Sequence, residues 1–459
     1  MATSGDVPAR SYLGTPATAP GPAGPQMLTE LRSIFANPVD YLLKAWREYG
    51  DVVQFPIPRP PSYLVAGPEG VRRVLVGNNA NYGKATIQYR SLSLVTGEGL
   101  LTADTAAWKR QRPMIQAAFR HDTLPGLVPH VTAAGDRLLA SWLAAPGTVR
   151  DVDQAMMEAA LEVVGHALFG TDLSADAERL TAATLDALDV VIARSRVPVS
   201  PPAWVPTPSN RRLARAVRDL DGAVTRILAG RHAMPTAEGR LDMVGILLSA
   251  RDEQGQALTS AEIRNQIVTF IVAGHETVAS ALTWAWALLA AHPDVQHRLA
   301  EESDAVLGGR VPGYEDYERL PYTRAVIDET LRLYPPAWLI TRKALGPDVV
   351  EGRELPAGSL VILSPTLLHR HPDLWDDPER FDPDRFVSGR IDRRSFIPFG
   401  AGPRMCIGRD FAYVESVLLL ARLAGAVEVS YPPGGGMPVP NPMVTVRPTG
   451  GLPLVVTPR

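Results

Sequence analysis

From Ile267 to Ala291 the sequence is almost continuously apolar, and this run constrains the fold more than any other feature of the chain. It is long enough to span a bilayer, yet His275 and Glu276 stand near its middle, and an ionisable pair at that depth is costly in lipid. The run therefore predicts a helix buried in the core of a large globular fold. Thr259-Ser260-Ala261-Glu262 forms a capping-box pattern before it and Pro293 stops it, which predicts one helix of roughly 30 residues.

A core able to enclose such a helix needs a long, apolar chain, and 459 residues at 46% hydrophobic content provide one. Charge adds an exclusion: 46 basic against 49 acidic residues leave a formal net charge of −3, so no global field attracts nucleic acid or an anionic membrane surface. A single cysteine permits no internal disulfide, which points to a reducing, cytoplasmic compartment and makes the thiol a candidate ligand or nucleophile. Residues 1–26 carry Pro8, Pro16, Pro20, Pro22 and Pro25 and no apolar stretch of signal or anchor length. They are expected to be a flexible leader, with 27–459 forming the folded unit.

Elsewhere the pattern is helix-rich with a strand-rich minority. Val52, Val53 and Phe55 face Tyr63, Leu64 and Val65 across the turn Pro56–Pro61, which predicts a hairpin. Apolar spacings of three and four dominate from Ala106 to about Leu307, broken by a proline-rich loop from Pro198 to Pro208. After Pro335 short apolar runs such as Leu360–Leu363 and Leu454–Val456 alternate with Gly and Pro, and one more helix is expected from about Asp410 to Ala426. No Gly-x-Gly-x-x-Gly occurs, so a dinucleotide-binding half is not supported.

The lone cysteine lies in Phe399-Gly400-Ala401-Gly402-Pro403-Arg404-Met405-Cys406-Ile407-Gly408, a glycine-rich turn leading into an apolar helix. Glycines let the backbone approach a large flat group, and a sulfur ahead of a helix N-terminus can be held as thiolate by N–H donors. The run Phe-Gly-x-Gly-x-Arg-x-Cys-x-Gly resembles the haem-binding signature of the cytochrome P450 family. That resemblance implies a mainly α fold with a small β region, a single triangular domain, and haem b (iron protoporphyrin IX) with Cys406 as axial iron ligand. It also implies that Phe399 packs near the sulfur and that Arg404 contacts a propionate, with Gly408 completing the cofactor loop.

Further motifs follow in the family's order. Ala273-Gly274-His275-Glu276-Thr277, midway along the long helix, offers small residues at Ala273 and Gly274 against which a flat cofactor can lie. A Thr277 hydroxyl bonded to the Ala273 carbonyl allows a local kink or groove. The run is similar to the family's oxygen-activation motif, implying that Glu276 and Thr277 deliver protons to dioxygen. A zincin reading of His275-Glu276 fails because position 279 is Ala where the second His must fall.

Glu329 and Arg332 share a helix face. Together with Arg380 of Pro378-Glu379-Arg380-Phe381 they resemble the family's structural ion network. Trp108 and Arg112 match a Trp-x-x-x-Arg pattern that reaches propionates, although position 113 is Pro where another base is expected. Arg342 matches a further propionate contact.

The implied reaction is insertion of one oxygen atom from O2 into a medium-sized hydrophobic substrate, terpenoid or fatty-acyl in type, with a macrolide as the other candidate. Tyr89, Leu100, Trp204, Ala337, Trp338 and Leu339 are the expected pocket residues. One cysteine cannot bind an iron–sulfur cluster, so electrons are expected from a separate ferredoxin or flavodoxin with its reductase. Lys109, Arg110, Arg112, Arg120, Arg393, Arg394 and Arg409 are expected to form its basic docking face. Rival readings are a peroxide-driven or isomerising haem-thiolate enzyme, which an intact acid–Thr pair disfavours, and a haem sensor, which needs no proton relay.

Overall fold

The computed structural model describes residues 17–56, 61–173, 176–195, 200–233, 243–389, 391–392 and 394–459. The long helix runs from Ser260 to Ala291 without interruption. Its N-cap is Thr259, whose hydroxyl accepts from the Glu262 N–H at 3.2 Å while Glu262 Oε2 accepts from the Thr259 N–H at 2.8 Å. Two of the unpaired backbone donors at this end are thereby satisfied, as the capping box predicts. Helices Val152–Phe169, Pro321–Leu333 and Arg409–Ala424 pack around it. A helix so surrounded has no room for a polar face, which is why its sequence is apolar on nearly every side.

The helices Ala177–Ser195 and Pro208–Ala233 pack on each other either side of the proline-rich loop, of which 196–199 lie outside the described residues. The predicted hairpin is present: Val52–Phe55 pairs antiparallel with Ser62–Val65, Val52 facing Val65. It continues into a five-stranded sheet, because Ser62–Val65 runs parallel to Leu360–Leu363, which pairs antiparallel with Ile340–Ala344, and Tyr82–Gly83 closes the edge. Both faces of Val52–Phe55 and Ser62–Val65 are buried, so these strands are mostly apolar on both sides, with Gln54 and Ser62 as buried polar exceptions. A smaller hairpin, Pro440–Pro442 with Val446–Pro448, lies against the long helix. The architecture is mainly α with small sheets, and one apolar core cluster extends from Tyr41 to Val456.

The expected leader needs correction. Residues 1–16 lie outside the described residues, but Ala19 is buried, the Thr18 N–H donates to Gln54 Oε1 at 2.8 Å, and a short helix spans Gly24–Thr29. Order therefore begins before residue 27, because the polar edge of the first strand takes up the prolines: Gln54 N–H donates to the Pro20 carbonyl at 2.8 Å.

Candidate active site

Gly400 and Gly402, at φ +72° and +71°, turn the chain ahead of the cysteine. At Gly402 a Cβ would lie 2.0 Å from the Leu75 carbonyl oxygen, so only glycine fits there. The turn closes with the Cys406 N–H donating to the Phe399 carbonyl at 2.9 Å, and helix Arg409–Ala424 follows with Gly408 as its N-cap. Burial raises the Cys406 thiol pKa, while the Gly408 N–H and the cations Arg112 and Arg409 pull it the other way. The side chain is nevertheless open on one side. Phe399 packs on Tyr413, ring centres 5.1 Å apart, within the same loop and helix.

Along the middle of the long helix His275 and Glu276 are buried, whereas Ala273, Gly274 and Thr277 remain partly open. Thr277 Oγ1 donates to the Ala273 carbonyl at 2.7 Å, as expected for a back-bonded threonine, without breaking the helix. Gly274 has a packing role besides: a Cβ there would meet Val164 at 3.0 Å. The Glu276 carboxyl accepts a hydrogen bond from Thr445 Oγ1 at 2.6 Å, and burial pushes its pKa up to about 7. Burial likewise lowers His275 to about 4, and its Nδ1 bonds the Ile271 carbonyl. It is therefore a neutral side chain locked into its own helix.

A cluster of cations gathers near the cysteine loop. Arg404 donates to the Ala103 carbonyl at 2.7 Å and stacks on Trp108, and Arg112 donates to the Met405 carbonyl at 3.0 Å. Arg342 donates to the Tyr89 hydroxyl at 3.4 Å, and Lys84 donates to the Leu101 carbonyl at 2.7 Å. Burial, reinforced by the charges of Arg342, Arg404 and Arg112, drives the Lys84 pKa well below its ordinary value. Burial and Arg342 lower Arg404 to about 10, against the counter-charge of Asp104. Lys84 escapes sequence reasoning because a lone lysine after a two-residue strand carries no signal until residues more than 200 positions away arrive beside it.

Several expected residues stand elsewhere. Glu329 and Arg332 form a fully buried bidentate pair at 2.6 and 2.7 Å, but Arg380 supplies only its backbone carbonyl to Arg332, and its guanidinium is 66% exposed. The third side chain is Arg385, whose Nε lies 3.4 Å from Glu329 Oε1. Two similar runs, Pro378-Glu379-Arg380-Phe381 and Pro383-Asp384-Arg385-Phe386, sit five residues apart, and the second carries the network.

Trp204 is 82% exposed and lines no interior cavity, since its proline-flanked loop projects outward. Tyr89 belongs to the cation cluster, with Lys84 Nζ 4.6 Å from its ring centre. Leu100 packs into the core, and Trp338 is buried with its indole donating to the Met443 carbonyl at 2.8 Å. Ala337 is exposed and Leu339 half-buried. The basic docking face is largely neutralised: Arg110 pairs with Asp252 and Glu262, Arg120 with Asp122, Arg394 with Asp392, and Arg409 with Asp410. Arg393 lies outside the described residues.

A family model for Cytochrome P450 matches residues 20–454. Relatives include "Cyclooctatin synthase" of Streptomyces melanosporofaciens, 36% identical over 90% of this chain and 89% of the relative. "Cyclooctat-9-en-7-ol 5-monooxygenase" of the same organism is 34% identical over 97% of this chain and 96% of its own. "Pentalenene oxygenase" of Streptomyces avermitilis is 34% identical over 86% and 87%. Fold and matches together define a monooxygenase of the haem-thiolate class. The chain belongs to the cytochrome P450 family, whose cofactor is a haem iron.

The residues present fit that group. Lys84, Arg112, Arg342 and Arg404 crowd one another beside Asp104, a positive excess that two propionates would offset. The open side of Cys406 and the open stripe Ala273, Gly274 and Thr277 give it a thiol and a flat small-residue wall.

Proposed function

We propose that this chain inserts one oxygen atom of O2 into a medium-sized cyclic terpenoid, using haem b and electrons from a separate cytoplasmic ferredoxin or flavodoxin with its reductase. Cys406 would hold the iron as its thiolate, and Arg112, Arg342, Arg404 and Lys84 would hold the propionates, with Trp108 orienting Arg404. When bound, the haem supplies an iron at which dioxygen is reduced, and thiolate donation favours O–O cleavage.

The observation that carries the monooxygenase reading is Glu276. A buried carboxyl whose pKa burial raises from 4.5 to about 7 can hold a proton at higher pH than an exposed one, which suits a group that gives up and regains a proton in each cycle. The Thr277 hydroxyl, partly open and back-bonded to the Ala273 carbonyl at 2.7 Å, is the group to which that proton would pass. An isomerising enzyme, which consumes no protons, has no need of such a carboxyl.

The terpenoid assignment is supported by the names of the relatives, a cyclooctatin synthase, a cyclooctat-9-en-7-ol monooxygenase and a pentalenene oxygenase. The test is a panel of cyclic terpenes, fatty acids and macrolides, scored by the substrate-induced spin-state shift and by products that carry isotope from labelled dioxygen. Cyclic terpenes are expected to shift the spectrum and gain one oxygen atom. A response confined to macrolides overturns the substrate class, and product without isotope from dioxygen overturns the reaction.

A further inference from the structure

We infer that Thr445 is a positioning residue for the Glu276 carboxyl: it reaches in from the hairpin Pro440–Pro442/Val446–Pro448 and fixes which carboxyl oxygen keeps the proton. This deepens the reading of Glu276 as proton source and rests on it.

Glu276, Ser280 and Trp284 recur every four residues and so form one stripe of the long helix. Each bonds the same hairpin. Thr445 Oγ1 donates to Glu276 Oε1 at 2.6 Å, and Ser280 Oγ and Trp284 Nε1 donate to the Val446 carbonyl at 2.7 and 2.8 Å. Two further bonds hold the turn from the other side, Trp338 Nε1 to the Met443 carbonyl at 2.8 Å and the Val446 N–H to the Pro336 carbonyl at 3.3 Å. Thr445 and Glu276 are both buried, so neither exchanges this bond for water.

A hydroxyl that donates to Oε1 makes that oxygen the acceptor and leaves Oε2 as the site that holds the transferable proton. The carboxyl is thereby fixed from outside its own helix, by a segment that is distant in sequence. The charged groups that act on Glu276 are Arg447 of the same hairpin, Asp153 of helix Val152–Phe169 and Asp189 of helix Ala177–Ser195, while its neighbour His275 turns its Nδ1 to the Ile271 carbonyl. Arg447 lowers the Glu276 pKa and the two aspartates raise it, while Arg447 is itself engaged by Asp153 Oδ2 at 2.5 Å. Among the described residues, none of these groups hydrogen-bonds the carboxyl as Thr445 does. Because that bond favours the ionised form, its loss pushes the pKa further up.

The experiment uses full-length haem-loaded protein and infrared difference spectra between H2O and D2O. The band of a protonated carboxyl that disappears in Glu276→Gln identifies the group. In Thr445→Val, and in Thr445→Ala should valine disturb the fold, that band moves to higher wavenumber and its titration midpoint rises above the wild-type value. The share of consumed reducing equivalents that appears as peroxide rises several-fold, and Thr445→Ser restores all three readouts. An unchanged band and midpoint in the valine or alanine variant, or a serine variant that behaves like valine, overturns the inference. If Glu276→Gln leaves product yield and peroxide share unchanged, the proton-source reading falls instead, and the band still decides the role of Thr445.

Discussion

The guanidinium of Arg404 lies 4.2 Å from the ring centre of Trp108, two residues nearly 300 positions apart. Trp108 comes from the helix Thr105–Gln116 and Arg404 from the turn ahead of the cysteine, so the stack joins the first propionate candidate to the ligand loop. A desolvated contact of this kind contributes about 1–2 kcal/mol. Trp108→Leu is therefore expected to speed haem loss to an acceptor globin by roughly an order of magnitude. Trp108→Phe, which keeps a ring, falls between.

Cys406 is expected to dictate the optical signature. Dithionite-reduced wild type with carbon monoxide should show a strongly red-shifted Soret band, and Cys406→His should bind haem and lose that shift. An ordinary haem spectrum in wild type would overturn thiolate ligation.

Removing one partner of a buried ion pair strands the other without water. Glu329→Gln or Arg332→Ala is expected to cost about 3–5 kcal/mol in urea unfolding. Arg385→Ala should also destabilise, because its Nε approaches Glu329 from a nearly buried position. Arg380→Ala should change stability by less than about 0.5 kcal/mol, since its side chain is mostly in solvent.

The raised Glu276 pKa has a definite sign. An acid lifted from 4.5 to about 7 on folding binds its proton more tightly in the native state, so its contribution to stability is greatest below pH 4.5 and falls as pH rises to about 7. The full difference is of order 3 kcal/mol. Glu276→Gln should remove that slope from the stability-against-pH curve. Coupled turnover should fall above about pH 7 in wild type and lose this limb in the glutamine variant.

Arg110→Glu tests whether that arginine serves partner docking or the fold. Arg110 bridges Asp252 at 2.6 Å and Glu262 at 2.5 Å and donates to the Ala257 carbonyl, so a carboxylate there would join two others. The expected result is a lower unfolding midpoint with an unchanged ionic-strength dependence of reduction by a ferredoxin.

What the sequence disclosed follows from how local each signal is. The capping box at Thr259 and the stop at Pro293 fixed the long helix because caps act within one turn. The cysteine loop was legible because Gly400 and Gly402 serve backbone conformations that few other residues adopt. Arg385 was missed because two near-copies of one short run compete, and only burial against Glu329 separates them. Trp204 was misplaced because apolarity says nothing about direction when a loop has prolines on both sides. Lys84 and Thr445 were invisible, since each acts on a partner more than 150 residues away.

The contact between Gly402 and the Leu75 carbonyl bears on how the protein matures. A backbone locked against backbone, with no side chain between, has little freedom to rearrange. The expected consequence is that the ligand turn orders during folding, ahead of cofactor arrival, so that haem docks into a preshaped seat. Loading should therefore be a single bimolecular event, and a bulkier residue at 402 should slow it by leaving the seat unformed.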